Sequence, residues 1–317
     1  MPGSTLSVVG EPDDFQAALK QGGCIDLIVS DVGKFRARHS LIALHRMRLA
    51  MGEEQQSRVA FFSIPPRFTR VTLPPEPGNS VICSGNTLQP GEIVTHSAGH
   101  RFHERTSGPC RWGTMLVLTN DLVSGSHVMI RNRFAPMPGE CRWQPTPDAL
   151  RPLIDLQHAA FAATAACPRL PVDDQAARGL EQQLLVALME CLLRGPTDYD
   201  NPVKRRHAEI MIRFEDMIRG SPAGPPPLAE IRAALGVSDR TLRMCCHAHL
   251  GMGPSRYLYL FRMRSANREL RTADDTETSV SQVARRHGFD GRRSFPRGYR
   301  VLFGEPPSVT LRRRTSR

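Results

Sequence analysis

The chain has 317 residues, of which 42 are Lys or Arg and 31 are Asp or Glu, so its formal net charge is +11 at pH 7. That length is sufficient for two domains, each with its own core. Its eight cysteines include no C-x-x-C pair, which disfavours a zinc ribbon or a disulfide framework and predicts a protein of the reducing cytoplasm. We expect no membrane partner, since no stretch approaches ~18 consecutive apolar residues and no signal pattern opens the chain.

The positive charge is concentrated in the last third of the chain. Residues 201–317 hold 23 Lys and Arg against 11 Asp and Glu, whereas residues 1–200 are close to neutral. A basic region on a near-neutral body is typical of proteins that bind the phosphate backbone of nucleic acids. The alternatives are a basic face kept for solubility and a membrane-surface helix, and the second is disfavoured because the arginines lie among turn signals.

Residues 1–142 are predicted to form a β-rich domain. A helix is expected near Glu11–Lys20, and short apolar runs follow at Cys24–Val29, Val59–Ile64 and Met115–Thr119. Pro and Gly turn signals separate these runs, which is typical of an antiparallel barrel or sandwich.

Residues 143–199 are predicted to form a helical connector. Pro147–Ala166 and Asp174–Leu193 carry apolar residues at i, i+3 and i+4 spacing, as amphipathic helices do. Such a pair is either a dimerisation element, which would make the protein a homodimer, or an ordinary packed connector. Gly195–Pro202 is predicted to be a loop, and Val203–Arg219 a further helix.

One short pattern occurs twice within residues 200–317. At 228–250 an amphipathic helix ends in a turn at Gly236 and a second helix follows Ser238, which suits an N-cap. At 280–303 the same order recurs with Gly288 and Asp290. This is the sequence form of a helix-turn-helix, whose second helix can enter a DNA major groove.

Residues from about 204 to 312 resemble the DNA-binding domain of the AraC/XylS family of transcription regulators. The resemblance covers, in chain order, Leu228–Arg243, His249–Leu258, Arg262–Leu270, Val280–Phe289 and Phe295–Ser308. It implies an all-α domain that binds two successive major grooves of double-stranded promoter or operator DNA. It implies no cofactor and no catalytic residues. RNA polymerase is implied as a partner if the protein is an activator, and whether it activates or represses is left open.

Members of that family commonly join this domain to a cupin-like sensor domain that binds a small-molecule effector. Around Ile93–Leu118 the chain is similar to sensor domains of the ethanolamine-operon-regulator type. The fold expected from residues and resemblance together is α+β: a β-rich cupin-like barrel, a helical connector and an all-α double helix-turn-helix domain. No effector-binding residue is assigned.

The exposed residues of the two recognition helices are the predicted DNA contacts. Those of the first unit are Ser238, Asp239, Arg240, Thr241, Arg243, Met244 and His247, and those of the second are Gly291, Arg292, Arg293, Ser294, Arg297 and Arg300. Arginine either pairs with guanine or neutralises phosphates. Both roles stay open for most of these arginines, whereas Arg297 and Arg300 are predicted to hold phosphates.

Two features of this region bear on its geometry. Pro254–Arg271 is predicted to be one connecting helix of 18 residues, about 27 Å long, which suits recognition helices that enter grooves about 34 Å apart. Pro296 lies inside the second recognition helix, so that helix either starts near Phe295 or bends there. The core-facing residues are predicted to be Leu242, Cys246, Leu250, Phe295, Tyr299 and Phe303.

His96, His100, His103 and Glu104 form the one cluster that suggests a metal. Its H-x3-H-x2-H-E spacing lacks the H-x-H start of metal-binding cupins, so we predict no metal site. The alternative function is a cupin-type metal-dependent enzyme that carries a DNA-binding appendage. A third hypothesis is an architectural DNA-binding protein without an effector.

Overall fold

The computed structural model describes residues 2–124, 139–166, 173–193, 196–198, 202–221, 224–273, 278–289 and 294–312. These residues form an N-terminal barrel of two antiparallel sheets, a pair of helices packed on one side of it, and a helical C-terminal region packed on the other. None of the helices in the described ranges is both long enough and apolar enough to cross a membrane.

The strands and the helices are each numbered here in chain order. The strands are β1 Gly3–Val9, β2 Cys24–Val29, β3 Ala37–Ala43, β4 Met47–Glu54, β5 Arg58–Ser63, β6 Phe68–Thr72, β7 Val81–Cys83, β8 Asn86–Thr87, β9 Ile93–His96, β10 Arg101–Thr106, β11 Cys110–Leu118, β12 Glu140–Trp143 and β13 Pro196–Asp198. The helices are α1 Pro12–Leu19, α2 Thr119–Ser124, α3 Pro147–Ala166, α4 Asp174–Leu192, α5 Pro202–Gly220, α6 Leu228–Leu235, α7 Asp239–Leu250, α8 Pro254–Thr272, α9 Val280–Arg286, α10 Ser294–Phe303 and α11 Pro307–Arg312. A short 3-10 turn, Lys20–Gly22, follows α1.

The barrel consists of an eight-stranded sheet, in the order β1-β3-β4-β11-β6-β9-β12-β13, and a five-stranded sheet, in the order β2-β5-β10-β7-β8. All of the strand pairs in the described ranges are antiparallel, as expected for short strands joined by Pro and Gly turns. The inner faces of the two sheets meet in one apolar cluster that includes Phe15, Phe62, Phe102 and Trp112.

Both sheets are also covered on their outer faces. Met47, Leu49 and Val117 of the larger sheet share a second apolar cluster with side chains of α3 and α4. Because burial on both faces removes the polar side of the alternating pattern, strands such as β5 and β9 are apolar or buried at nearly every position. The helix pair therefore belongs to the N-terminal body.

The smaller sheet is covered by the C-terminal region. Ile28 of β2 and Val59 of β5 lie in a third cluster, together with Met211 and Phe214 of α5 and Tyr257 of α8. The two halves of the chain are thus joined through packed side chains as well as through the chain itself.

The expected α+β class is confirmed, with helix α1 and the three apolar runs found close to their predicted positions. One expectation was wrong: Gly195–Pro202 was predicted to be a loop, but Pro196–Asp198 forms β13 and pairs with β12 at the edge of the larger sheet. The segment returns to the barrel because the open edge of β12 supplies unpaired backbone groups that a passing strand satisfies. The dimerisation hypothesis for α3 and α4 stays a prediction.

Candidate nucleic-acid interface

The first helix-turn-helix consists of α6 and α7. Gly236, at a φ of 66°, ends α6 in the left-handed conformation, and its amide donates to the carbonyls of Arg232 and Ala233. The Ser238 hydroxyl then accepts a hydrogen bond of 3.1 Å from the Thr241 amide and caps α7, as the sequence predicted. Local capping thus sets the angle at which α7 leaves the turn.

The two faces of α7 have the predicted character. Leu242, Cys246 and Leu250 are fully buried against α5 and α6. The outward side chains that the sequence singled out are exposed, namely those of Arg240, Arg243, Met244 and His247, with Asp239 and Thr241 half-buried. The carboxylate of Asp239 lies 2.8 Å from Nε of Arg243, one helical turn away, and therefore orients that guanidinium.

The second helix-turn-helix consists of α9 and α10. Ser279 and Gln282 form a capping box at the start of α9, and the turn at Gly288 has a φ of 74°. Helix α10 begins at Ser294, so Pro296 lies in its first turn, where the missing N–H leaves no helical hydrogen bond unmade. Of the two alternatives, a start near Phe295 or a bend at Pro296, the start near Phe295 is the one observed.

Helix α10 buries Phe295 and Tyr299 and half-buries Phe303. Its Ser294, Arg297 and Arg300 are exposed, and the two arginines form no ion pair with any residue in the described ranges. The other predicted contacts of this unit, Gly291, Arg292 and Arg293, lie outside the described residues, as does the predicted cap Asp290.

The helix α8 connects the two units. It has 19 residues and starts with Pro254 at its first helical position, close to the predicted range. Helix α10 crosses it at Gly298, where a Cβ would overlap the hydroxyl of Tyr259 and lie 2.9 Å from Cε of Met263. The absence of a side chain at Gly298 thus lets the two helices approach each other closely at this point.

The C-terminal half of α8 is bound to the barrel through ion pairs. Arg264 contacts Asp13 at 3.0 Å and also pairs with Asp26, while Arg271 contacts Glu11 at 2.6 Å. Burial lowers the pKa of Arg264 to about 10, although Asp13 favours its charged form. Acidic side chains at the start of α1 and in β2 therefore fix the position of the helix between the two units.

A buried acid, Glu215 of α5, forms a second junction between the halves. Its Oε1 lies 2.8 Å from Nε2 of His103 in β10 and accepts from the Tyr257 hydroxyl, and its Oε2 accepts from Arg219 at 2.9 Å. Burial would raise the pKa of Glu215, but the bond to His103 and the charge of Arg219 hold it at about 2. Sequence reasoning missed this residue, whose signal was a carboxylate between the apolar positions Met211 and Ile218.

The structure does not bring the four residues of the suspected metal cluster together: the rings of His96 and His100 stack with their centroids 5.4 Å apart, whereas His103 and Glu104 point to opposite sides of β10. The ring of His96 lies 3.3 Å from Glu140, and His103 is bound to Glu215 on the outer side of β10. Glu104 points inward to Arg58 and Arg70, at 2.8 and 2.7 Å. Within the described residues no group of three or more His, Cys, Asp or Glu side chains could hold a metal ion.

Comparison with known proteins agrees with this geometry. Residues 231–313 match the family model described as "Helix-turn-helix domain". The chain is 33% identical over 149 residues to a "Probable thc operon regulatory protein" of Rhodococcus erythropolis, covering 44% of this chain and 45% of the relative. It is 29% identical over 82 residues to "Regulatory protein HrpB" of Ralstonia nicotianae, covering 26% and 17%. The matches thus span less than half the length of either relative.

Two similar solved structures cover most of the chain. The AraC-like transcriptional activator CuxR has a TM-score of 0.45 and 13% identity, over 85% of this chain and 96% of its own. An apo form of ToxT from Vibrio cholerae, carrying a single substitution, has a TM-score of 0.34 and 11% identity, over 84% and 97%.

The two helix-turn-helix units, joined by the single helix α8, place the chain in the class of DNA-binding helix-turn-helix proteins. Residues 231–313, which span most of both units, therefore form a domain of that helix-turn-helix family. The similarity of its N-terminal part to sensor domains of the ethanolamine-operon-regulator type stays a prediction.

Proposed function

We propose that the protein is a sequence-specific transcription regulator, and not an enzyme, that contacts two successive major grooves of double-stranded DNA. The observation that carries this proposal is the pair of recognition helices joined by α8. At ~1.5 Å per residue the 19 residues of α8 span about 28 Å, which with the caps suits grooves about 34 Å apart. A small-molecule effector bound by the N-terminal domain would modulate that contact.

The proposed DNA contacts keep the residues chosen from the sequence. In the first unit Arg240, Arg243, Met244 and His247 would meet the groove, with Ser238, Asp239 and Thr241 at its N-terminal end. In the second unit Arg297 and Arg300 would hold phosphates, and Gly291, Arg292, Arg293 and Ser294 would enter the groove. RNA polymerase is a partner if the protein activates, and a homodimer formed through α3 and α4 is a further proposal.

Footprinting on DNA selected from a random library tests the proposal. We expect two protected patches on one face of the duplex, with centres about 10 base pairs apart, the spacing of successive major grooves. Equal affinity for selected and random DNA would contradict a sequence-specific regulator and favour an architectural protein.

Arginine variants of α7 test its contribution to DNA binding separately from that of α10. The double change Arg240→Ala with Arg243→Ala should weaken binding to selected DNA by about 1–3 kcal/mol for each arginine that reads a base, and should reduce the salt slope by about 1 for each arginine that holds a phosphate. Arg111→Ala is the matched control, because Arg111 is exposed on β11 and lies outside both units and outside the proposed dimer helices α3 and α4. Affinity and salt slope equal to those of the control would remove α7 from the interface.

A further inference from the structure

The barrel contains a small cavity that the DNA-binding function does not use. It has a volume of about 20 Å³ and opens beneath the C-terminal end of α1 and the turn that follows. Its walls come from the inner faces of β3, β4, β5, β6 and β11, and its polar lining includes Arg70, Arg48, His39 and Trp112. A space of that size admits about one small polar group.

Arg70 is the dominant polar side chain of this cavity. It is only 2% exposed, and its Nη2 donates to Glu104 at 2.7 Å, but its Nε and Nη1 have no hydrogen-bond partner in the described part of the chain. The guanidinium carbon lies 4.0 Å from the centre of the Phe62 ring, which fixes the plane of the group. Buried donors of an arginine are costly when unpaired, so the site is built to receive an acceptor.

The rest of the lining favours a negatively charged ligand with an apolar body. Trp112, 4% exposed, also has an indole N–H without a partner among the described residues. Arg48 adds a second cation, and none of the lining residues is acidic. Burial lowers the pKa of His39 to about 4, so this ring is neutral at pH 7. Leu19, Leu41 and Leu116 supply apolar walls.

We propose that this cavity binds the carboxylate of a small monocarboxylic acid, with Arg70 and Trp112 as donors and the apolar part of the ligand at the mouth between Leu19, Leu41 and the stem of Arg48. The assignment rests on the proposed effector-binding role of the N-terminal domain. A carboxylate is preferred to a neutral acceptor because charge-assisted hydrogen bonds to arginine are about twice as strong as neutral ones.

Calorimetric titration of the full chain tests the proposal with acetate, butyrate, hexanoate and benzoate as probes. The matching primary amides serve as uncharged controls, and chloride and phosphate serve as inorganic controls. We expect saturable binding of at least one carboxylate, with its amide at least tenfold weaker. Equal binding of acid and amide, equal binding of the inorganic anions, which would mean an adventitious ion only, or no binding at all would overturn the proposal.

Variants locate the site. Arg70→Lys keeps a charge beside Glu104 but loses the guanidinium, and should weaken carboxylate binding about tenfold or more. Arg111→Lys, on the outer face of β11 and exposed, is the matched control and should bind as the unaltered protein does. Trp112→Phe removes the indole donor together with one ring of the side chain and should weaken binding about threefold. It provides the deciding test if Arg70→Lys does not fold. Unchanged affinity in folded Arg70→Lys or in Trp112→Phe would contradict the assignment.

A DNA mobility-shift assay on the same preparations distinguishes failure of the ligand-site proposal from failure of the regulator proposal. If no carboxylate binds while selected DNA is still bound, the ligand site is wrong and the regulator proposal stands. If carboxylates bind through Arg70 but selected and random DNA are bound equally, the ligand site stands and the regulator proposal is wrong.

Discussion

At the scale of single side chains, Glu215 joins elements of both halves. It is a fully buried acid whose partners come from three elements: His103 of β10, Tyr257 of α8 and Arg219 of its own helix. Removing one partner of such a group leaves the others buried without compensation, which costs more than the bond itself contributes. The residue therefore links barrel, α5 and α8 in one polar contact.

Replacing Glu215 with glutamine should lower the free energy of unfolding by about 2 kcal/mol at pH 7, because a neutral amide cannot match the carboxylate facing Arg219 and His103. The pKa of Glu215 is about 2 in the folded protein and 4.5 is its ordinary value. Its ionised form thus stabilises the fold above pH 4.5, and that contribution is lost as the pH falls towards 2. Urea unfolding from pH 7 to pH 2 should show the gap between the two proteins closing over this range.

Asp216→Asn is the control for that measurement. Asp216 is the next residue on α5, its side chain is 54% exposed, and it pairs only with the half-exposed Arg101 among the described residues. Its loss should change stability by less than about 0.5 kcal/mol at any pH. If Glu215→Gln followed the pH dependence of the unaltered protein in parallel, Glu215 would not be the titrating group.

Among the helices, those of the C-terminal region were the most predictable, because the signals that start and stop them are local. Ser238, Gly236 and Pro254 act through hydrogen bonds and backbone angles within a few residues, so their roles could be deduced from the chain. The role of Gly298 could not, because it depends on Tyr259 and Met263, more than thirty residues away in the chain.

Gly298→Ala should destabilise the protein by about 1 kcal/mol, since the new methyl group displaces the Tyr259 hydroxyl and offsets the gain in helix propensity. Adding Tyr259→Phe removes the hydroxyl that the methyl group would overlap. The double variant should recover most of the loss, giving a favourable coupling of about 1 kcal/mol in a thermal-unfolding cycle. Strict additivity of the two changes would mean that α10 does not approach α8 at this point.

For the molecule as a whole, the β-rich class could be predicted but the covering of each sheet could not. The runs at Val59–Ile64 and Met115–Thr119 indicated strands, yet nothing local to them specifies that β5 faces the DNA-binding region while β11 faces α3. For the same reason Arg70 was missed as a candidate site residue: its burial depends on strands brought together from across the first half of the chain.

The two halves should unfold together, because Val59 and Ile28 are buried in the same cluster as Phe214 and Tyr257. Placing an unpaired charge there with Val59→Arg should separate them, since the charge cannot stay buried in that cluster. We expect one calorimetric transition for the unaltered protein and two for the variant. Val8→Arg, at a site 78% exposed on β1, is the control and should keep a single transition. One transition at an unchanged temperature in Val59→Arg would mean that this cluster does not couple the halves.

Strand β10 lies between the Arg70 guanidinium inside the barrel and the DNA-binding region, and it is one backbone thick. Because successive residues of a strand point to opposite sides, Glu104 contacts Arg70 within the barrel while His103, one peptide unit earlier, contacts Glu215 outside it. Which side chains of β10 point into the barrel, and which point to the DNA-binding region, therefore depends on the register of the sequence along the strand. A shift by one residue exchanges the two sets. Inserting a single residue before His103 would exchange the two sets of side chains, whereas inserting two would restore them, although both insertions alter the preceding turn alike.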